Sequence, residues 1–277
     1  SLLATRVRTK DMLDIARPFA LAHPSLFSME VWGGATFDVA MRFLHECPWE
    51  RLRKLREAIP NILLQMLFRG SNAVGYTAYP ENLIQAFIDQ SAKEGIDIFR
   101  VFDSQNDLFN MTVSIDHIRK NTQSLAEVSM CYTGDLQDPS KTKFTLQYYL
   151  DLARRIEDSG AHILAIKDMA GLLKPFAARH LITELKKVIA LPIHLHTHDT
   201  PSIQSATYLA AIEAGVNVVD VAMAWSNGVP APGSRMRSST RARSATLMTS
   251  ARRSCRAWHW LRRRCSWSWR SGASAPK

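Results

Sequence analysis

The chain has 277 residues, 46% of them hydrophobic, which is enough for one large α/β domain, and no apolar run nears the roughly 18 residues of a membrane span. Of the net charge of +10, residues 225–277 hold +12 (eleven Arg, one Lys, no Asp or Glu), so residues 1–224 carry −2 and the basic balance says nothing for a nucleic-acid partner of the body. The four cysteines, Cys47, Cys131, Cys255 and Cys265, show neither metal-ligand spacing nor a disulfide framework, which with the absence of a signal-peptide pattern leads to the cytoplasm as the expected compartment, or the mitochondrial matrix in a eukaryote.

The chain opens at Ser1 in what reads as a continuing segment, so upstream sequence is expected. From residue 26 a unit repeats: a short apolar run, a polar turn, then an amphipathic stretch. The expected strands are 26–31, 62–68, 96–102, 127–132, 162–167, 192–197 and 216–222, with starts 24 to 36 residues apart, about the length of one βα unit. Between them, helices are expected over 81–94 after Pro80, over 146–159, and over 203–214 after Pro201. Each ends at a glycine (Gly95, Gly160, Gly215) followed at once by a strand, the usual left-handed stop of an αβ turn. Repeated right-handed crossovers give an open doubly wound sheet or a closed barrel. The barrel is favoured because the reactive residues Arg69, Asp103, Lys167, His196 and His198 all fall at C-terminal strand ends, which converge only in a barrel. No Gly-x-Gly-x-x-Gly or Walker loop is present.

The densest chemistry lies in Ile193-His194-Leu195-His196-Thr197-His198-Asp199-Thr200. On a strand, alternate side chains share a face, and two imidazoles at i and i+2 can close on one divalent cation; the alternative is histidines that merely bond to neighbouring loops. Lys167, in Ile166-Lys167-Asp168-Met169-Ala170-Gly171, is either an uncharged amine able to form a carbamate with carbon dioxide or one half of an ion pair. Arg69 is suited to bidentate capture of a carboxylate, or to a salt bridge with a loop Asp. Asp103 and Asp199 are read as partners that orient the His and Arg side chains, and Gly33, Gly34 and Gly70 as tight turns.

Together the segments Phe27-Ser28-Met29-Glu30-Val31-Trp32-Gly33-Gly34-Ala35-Thr36-Phe37-Asp38, Glu46-Cys47-Pro48-Trp49-Glu50-Arg51-Leu52, Phe68-Arg69-Gly70-Ser71-Asn72-Ala73-Val74-Gly75-Tyr76, Phe99-Arg100-Val101-Phe102-Asp103-Ser104, the run 166–175 and the run 194–200 closely resemble the carboxyltransferase domain of the pyruvate carboxylases. The resemblance covers roughly residues 1–224. It implies a (β/α)8 TIM-type barrel that holds a divalent metal, Mn or Zn, and moves carboxyl from carboxybiotin to pyruvate to give oxaloacetate. By the same resemblance Lys167, as its carbamate, and His196 and His198 are metal ligands, Arg69 binds the pyruvate carboxylate and steadies the enolate, and Tyr76 lies at the same mouth. The implied partners are pyruvate, a biotinylated carrier domain and a biotin carboxylase domain, in a homo-oligomer, with no membrane and no nucleic acid.

Two departures accompany the resemblance. The family's first-strand Asp-x-x-x-Arg-Asp-x-His-Gln motif, with its metal-ligating aspartate, falls before Ser1, so the expected barrel is incomplete, with its first strand missing. Beyond Ala224 the resemblance stops, and no residue matches the family's proton-relaying threonine. The Arg-, Ser- and Trp-rich stretch 225–277 is read as disordered or non-native, an out-of-frame translation being preferred to a basic binding arm. The fragment is expected to be inactive alone. The alternatives are an oxaloacetate decarboxylase or transcarboxylase subunit, a metal-dependent aldol-type lyase, or a non-catalytic basic-tailed binding protein.

Overall fold

The computed structural model describes residues 5–222, so the reading of 225–277 lies outside the described residues. Seven parallel strands form one sheet in chain order: β1 Ser28–Gly33, β2 Leu63–Phe68, β3 Ile98–Val101, β4 Leu125–Cys131, β5 Ile163–Asp168, β6 Ile193–Thr197 and β7 Val218–Val219. Eight helices accompany them among the described residues: α1 Thr9–Ala22, α2 Ala35–Arg42, α3 Pro48–Ala58, α4 Glu81–Lys93, α5 Leu108–Asn121, α6 Leu146–Asp158, α7 Pro175–Val188 and α8 Gln204–Glu213. All seven expected strands are there. The helices begin where local chemistry supplies a start: Pro48 and Pro175 open α3 and α7, while the Asp107 and Thr145 side chains accept from the Phe109 and Tyr148 amides at 3.0 and 3.3 Å. The glycines after α4, α6 and α8 have φ of +112, +81 and +88°, as the αβ turns require.

Strand boundaries differ from the sequence expectation for definite reasons. Ile96 and Val216 do not join their strands, because their amides close the preceding helices on Ser91 and Ala211 carbonyls at 3.0 Å. β1 runs on to Gly33 through a bulge between Glu30 and Trp32: Glu30 pairs with Gln65, yet Trp32 pairs with Met66. The extra residue turns Trp32 from the inner face to the helix layer. There it packs among Phe37, Trp49 and Phe87, ring centroids 5.0–5.9 Å away, and donates to the Pro48 carbonyl at 3.0 Å.

The sheet is curled rather than flat. On a flat sheet Arg100 of β3 and Asp220, just after β7, would lie four strand spacings or about 19 Å apart; their side chains meet at 2.6 Å. Phe27 beside β1 and His194 on β6 likewise approach to 6.4 Å between rings. This is an incomplete (β/α)8-type barrel. Outward residues such as Leu64, Met66, Phe99, Val128, Ile166 and Leu195 fill the layer beneath the helices. Inside, Phe27, Leu63, Ile98, Leu125 and Ile163 plug the N-terminal end. Above that plug the interior turns charged.

Candidate active site

Alternation along β5 and β6 carries Lys167 and His196 into the barrel, and register places them opposite one another, with Cys131 of β4 on the other side of Lys167. Lys167 is 6% exposed. Its amine lies 5.2 Å from the centre of the Phe102 ring and makes no hydrogen bond or ion pair among the described residues. Burial pushes its pKa down, which favours the uncharged amine. The His196 ring is 5.2 Å from that of His198. Its Nδ1 is 2.7 Å from Asp220 Oδ2, while Nε2 is buried with no hydrogen-bond partner. His198 stands just past β6, its amide donating to the Asp168 carbonyl at 3.0 Å; burial, then His196 and Lys167, lower its pKa.

The loop that supports His198 is organised by Asp168. Its carboxylate accepts from the amides of Leu172 and Leu173, both at 2.9 Å, and from the Thr197 hydroxyl at 2.9 Å. Gly171 closes that loop at φ +70°, where a Cβ would come within 2.4 Å of Pro201 and 2.6 Å of the His198 carbonyl. Gly171→Ala should therefore destabilise the fold by about 1–3 kcal/mol and displace His198. Urea unfolding and the His198 ring signals in proton NMR check this; an unchanged midpoint with unmoved signals would contradict it.

Below these residues sits a charge cluster. The buried Arg100 guanidinium donates to Glu127, to Asp220 Oδ2 at 2.6 Å and to Glu30 at 3.0 Å. His194, fully buried, bridges Glu127 at 2.8 Å and Asp220 Oδ1 at 2.7 Å. Burial disfavours charge on each group, but the partners prevail: Glu127 and Asp220 raise the His194 pKa to about 9, and His194 with Arg100 holds Asp220 well below the carboxylate range. Hence His194 belongs to the cluster and not to the pair His196/His198. Glu30, Arg100, Glu127 and Asp220 carry no role in the sequence reading; the available signal was a charge at an inward position of each apolar run.

At the C-terminal end of β2 the Arg69 guanidinium donates to the Val74 and Gly75 carbonyls at 3.3 and 3.0 Å and lies 5.2 Å from the Tyr76 ring centre. It has no carboxylate partner among the described residues. Tyr76 is exposed, and its hydroxyl approaches Asp38 Oδ2 at 3.4 Å. The roles expected of Asp103 and Asp199 are corrected. Asp103 accepts from the amides of Gln105 and Asp107 at 2.8 and 3.0 Å, and Asp199 from that of Gln204 at 3.0 Å. Each is occupied in closing its own loop.

Among the described residues no three His, Cys, Asp or Glu side chains are arranged to hold a metal ion by themselves. The candidate donors are instead Lys167, His196 and His198. Of these, His196 has what a ligating imidazole needs: an unpartnered Nε2, with a carboxylate holding its Nδ1. No helix among the described residues is long and apolar enough to cross a membrane.

A parallel βα barrel with reactive groups at its C-terminal mouth defines the class, and the chain belongs to the HMGL-like family, whose model matches residues 82–228. Within that family it is similar to the carboxyltransferase domain of pyruvate carboxylase. It is 56% identical to the pyruvate carboxylase of Bacillus subtilis over 83% of this chain and 20% of that protein, and 55% identical to the human mitochondrial pyruvate carboxylase over 80% of this chain and 19% of that one. The carboxyltransferase domain of Rhizobium etli pyruvate carboxylase, solved with pyruvate, superposes with a TM-score of 0.78 at 56% identity, covering 80% of this chain and 37% of that domain's chain. The chain thus spans about a fifth of the length of these curated relatives.

Proposed function

We propose that this barrel carries the carboxyltransferase site of a biotin-dependent pyruvate carboxylase, moving carboxyl from carboxybiotin to pyruvate to form oxaloacetate. The observation that carries the reading lies at one mouth: the Lys167 amine and His196 Nε2 have no hydrogen-bond partner among the described residues, and the Arg69 guanidinium, held by backbone carbonyls, has no carboxylate among them. Lys167, as a carbamate, with His196 and His198, would hold a divalent metal. That metal, when bound, supplies positive charge where the enolate of pyruvate develops. Arg69 takes the pyruvate carboxylate in its planar fork and adds a second cation beside the enolate. Its lock on the Val74 and Gly75 carbonyls presets the guanidinium before substrate arrives. Tyr76 lies at the same mouth, its ring 5.2 Å from the Arg69 guanidinium.

Carboxybiotin is delivered by a carrier domain and recharged by a biotin carboxylase domain, in the cytoplasm or, in a eukaryote, the mitochondrial matrix, within a homo-oligomer. Among the described residues β1 and β7 do not pair with each other, and an open barrel of this kind is expected to be catalytically silent on its own.

The test uses a full-length pyruvate carboxylase whose carboxyltransferase segment carries the residues of this chain. Arg69→Lys keeps the charge but loses the fork, and kcat/KM for pyruvate should fall about 10- to 100-fold, the worth of a charged bidentate bond, with little change in melting temperature. Unchanged pyruvate kinetics would remove Arg69 from substrate binding.

A further inference from the structure

We infer that Asp220, held in place by Arg100 and His194, is a positioning residue for His196: it fixes the imidazole as the Nδ1–H tautomer and keeps Nε2 a bare acceptor. The inference rests on the reading of His196 as a metal ligand for its consequence, but not for its geometry.

The tautomer follows from the chemistry of the partners. His196 Nδ1 has two polar neighbours, Asp220 Oδ2 at 2.7 Å and Arg100 Nη1 at 3.4 Å. A guanidinium cannot accept a hydrogen bond and an ionised carboxylate cannot donate one. At 2.7 Å a carboxylate oxygen and Nδ1 need a proton between them, whereas the 3.4 Å guanidinium contact is too long to hold Nδ1 as its acceptor; in the neutral ring the proton is therefore on Nδ1, and Nε2, which has no hydrogen-bond partner, carries the lone pair.

Asp220 is itself held from both sides. Its Oδ2 also receives Arg100 Nη1 at 2.6 Å, and its Oδ1 receives His194 Nε2 at 2.7 Å, so the carboxylate cannot swing away from His196 without breaking bonds to two fully buried groups. Arg100 is anchored in turn on Glu127 and on Glu30. The chain of contacts thus runs from the middle of the barrel to one nitrogen at its mouth. A free imidazole in water samples both tautomers and all ring rotations; here one is selected before any ligand arrives. Carboxylates in this position commonly contribute a factor of about 10–100 in metal affinity.

The experiment is long-range proton–nitrogen correlation NMR on the 277-residue chain labelled with nitrogen-15 at histidine, at a pH about two units above the ordinary imidazole pKa. His196 is assigned by its loss in His196→Asn. A pyrrole-type Nδ1 with a pyridine-type Nε2 is expected, and the reverse pattern would overturn the inference. Asp220→Ala should then release the ring to a mixture of tautomers and weaken Mn2+ binding by about 10- to 100-fold. Asp220→Asn, whose amide oxygen can still accept from Nδ1, should recover part of both. Tautomer and affinity unchanged in Asp220→Ala, with the fold intact by circular dichroism, would overturn the inference equally. Should Asp220→Ala fail to fold, the unmodified chain's spectrum decides. Failure of the unmodified chain to bind Mn2+ would count against the metal reading alone, because the tautomer is measured without metal.

Discussion

Replacing Arg100 with leucine should cost the folded state about 3–5 kcal/mol, a large share of the roughly 5–15 kcal/mol that a domain has in total. The guanidinium is fully buried and, among the described residues, is the one cation that meets Glu30, Glu127 and Asp220 together. Without it, Glu127 is left in the barrel interior with only His194 as a partner among the described residues, and Asp220 loses one of the two donors on its Oδ2, keeping His196 Nδ1. The Coulomb attraction of such a cluster does not make it a net stabiliser relative to an apolar interior; the loss comes from charges stranded away from water. Glu127→Gln added to Arg100→Leu should therefore recover part of the loss. Urea unfolding of the single and double variants measures both effects. A loss below about 1 kcal/mol for Arg100→Leu, within the range of exposed ion pairs, would mean that water reaches the cluster and the barrel is looser than described.

Lys167→Met should behave in the opposite way. Lys167 is buried with no hydrogen bond or ion pair among the described residues, so a methionine of similar length relieves the cost of an unpaired polar group and should leave stability unchanged or raised. In the full-length enzyme that carries these residues, the same change should lower oxaloacetate formation by about 100- to 1,000-fold, the usual effect of deleting one group that stabilises transition-state charge. A stable but inactive variant is the signature of a residue kept for chemistry against the interest of the fold. Lys167→Met that stays active would remove the lysine from the site. If instead it unfolds the protein, the amine has a structural partner that the described residues do not contain.

Most of the fold was legible because it repeats. Seven apolar runs at nearly constant spacing, three of them preceded by a helix-closing glycine, predict parallel strands in sequential order, and the sheet has that order. Lys167, His196, His198 and Arg69 stood out because they lie at strand ends, where a polar side chain after an apolar run is conspicuous. Arg100, Glu127 and Asp220 did not, although each is a charge at an inward position of an apolar run. Their meaning depends on the sheet curling enough to bring β3, β4 and the end of β7 together, which no local pattern encodes. Asp103 and Asp199 failed for the converse reason. An aspartate after a strand looks the same in sequence whether it orients a catalytic side chain or accepts amides from its own loop, and here it does the latter. The bulge before Trp32 was hidden as well, since one extra residue reverses the inward and outward faces without changing composition.

Lys167, His196 and His198 are proposed to form one divalent-metal site at the barrel mouth. Its most direct test is titration of the purified chain with Mn2+, followed by electron paramagnetic resonance, beside His196→Ala, His198→Ala and Lys167→Ala. A single bound Mn2+ per chain that is lost or greatly weakened in all three variants is the predicted result. A chain that binds no Mn2+, or variants that all bind it as tightly as the unmodified chain, would contradict the account.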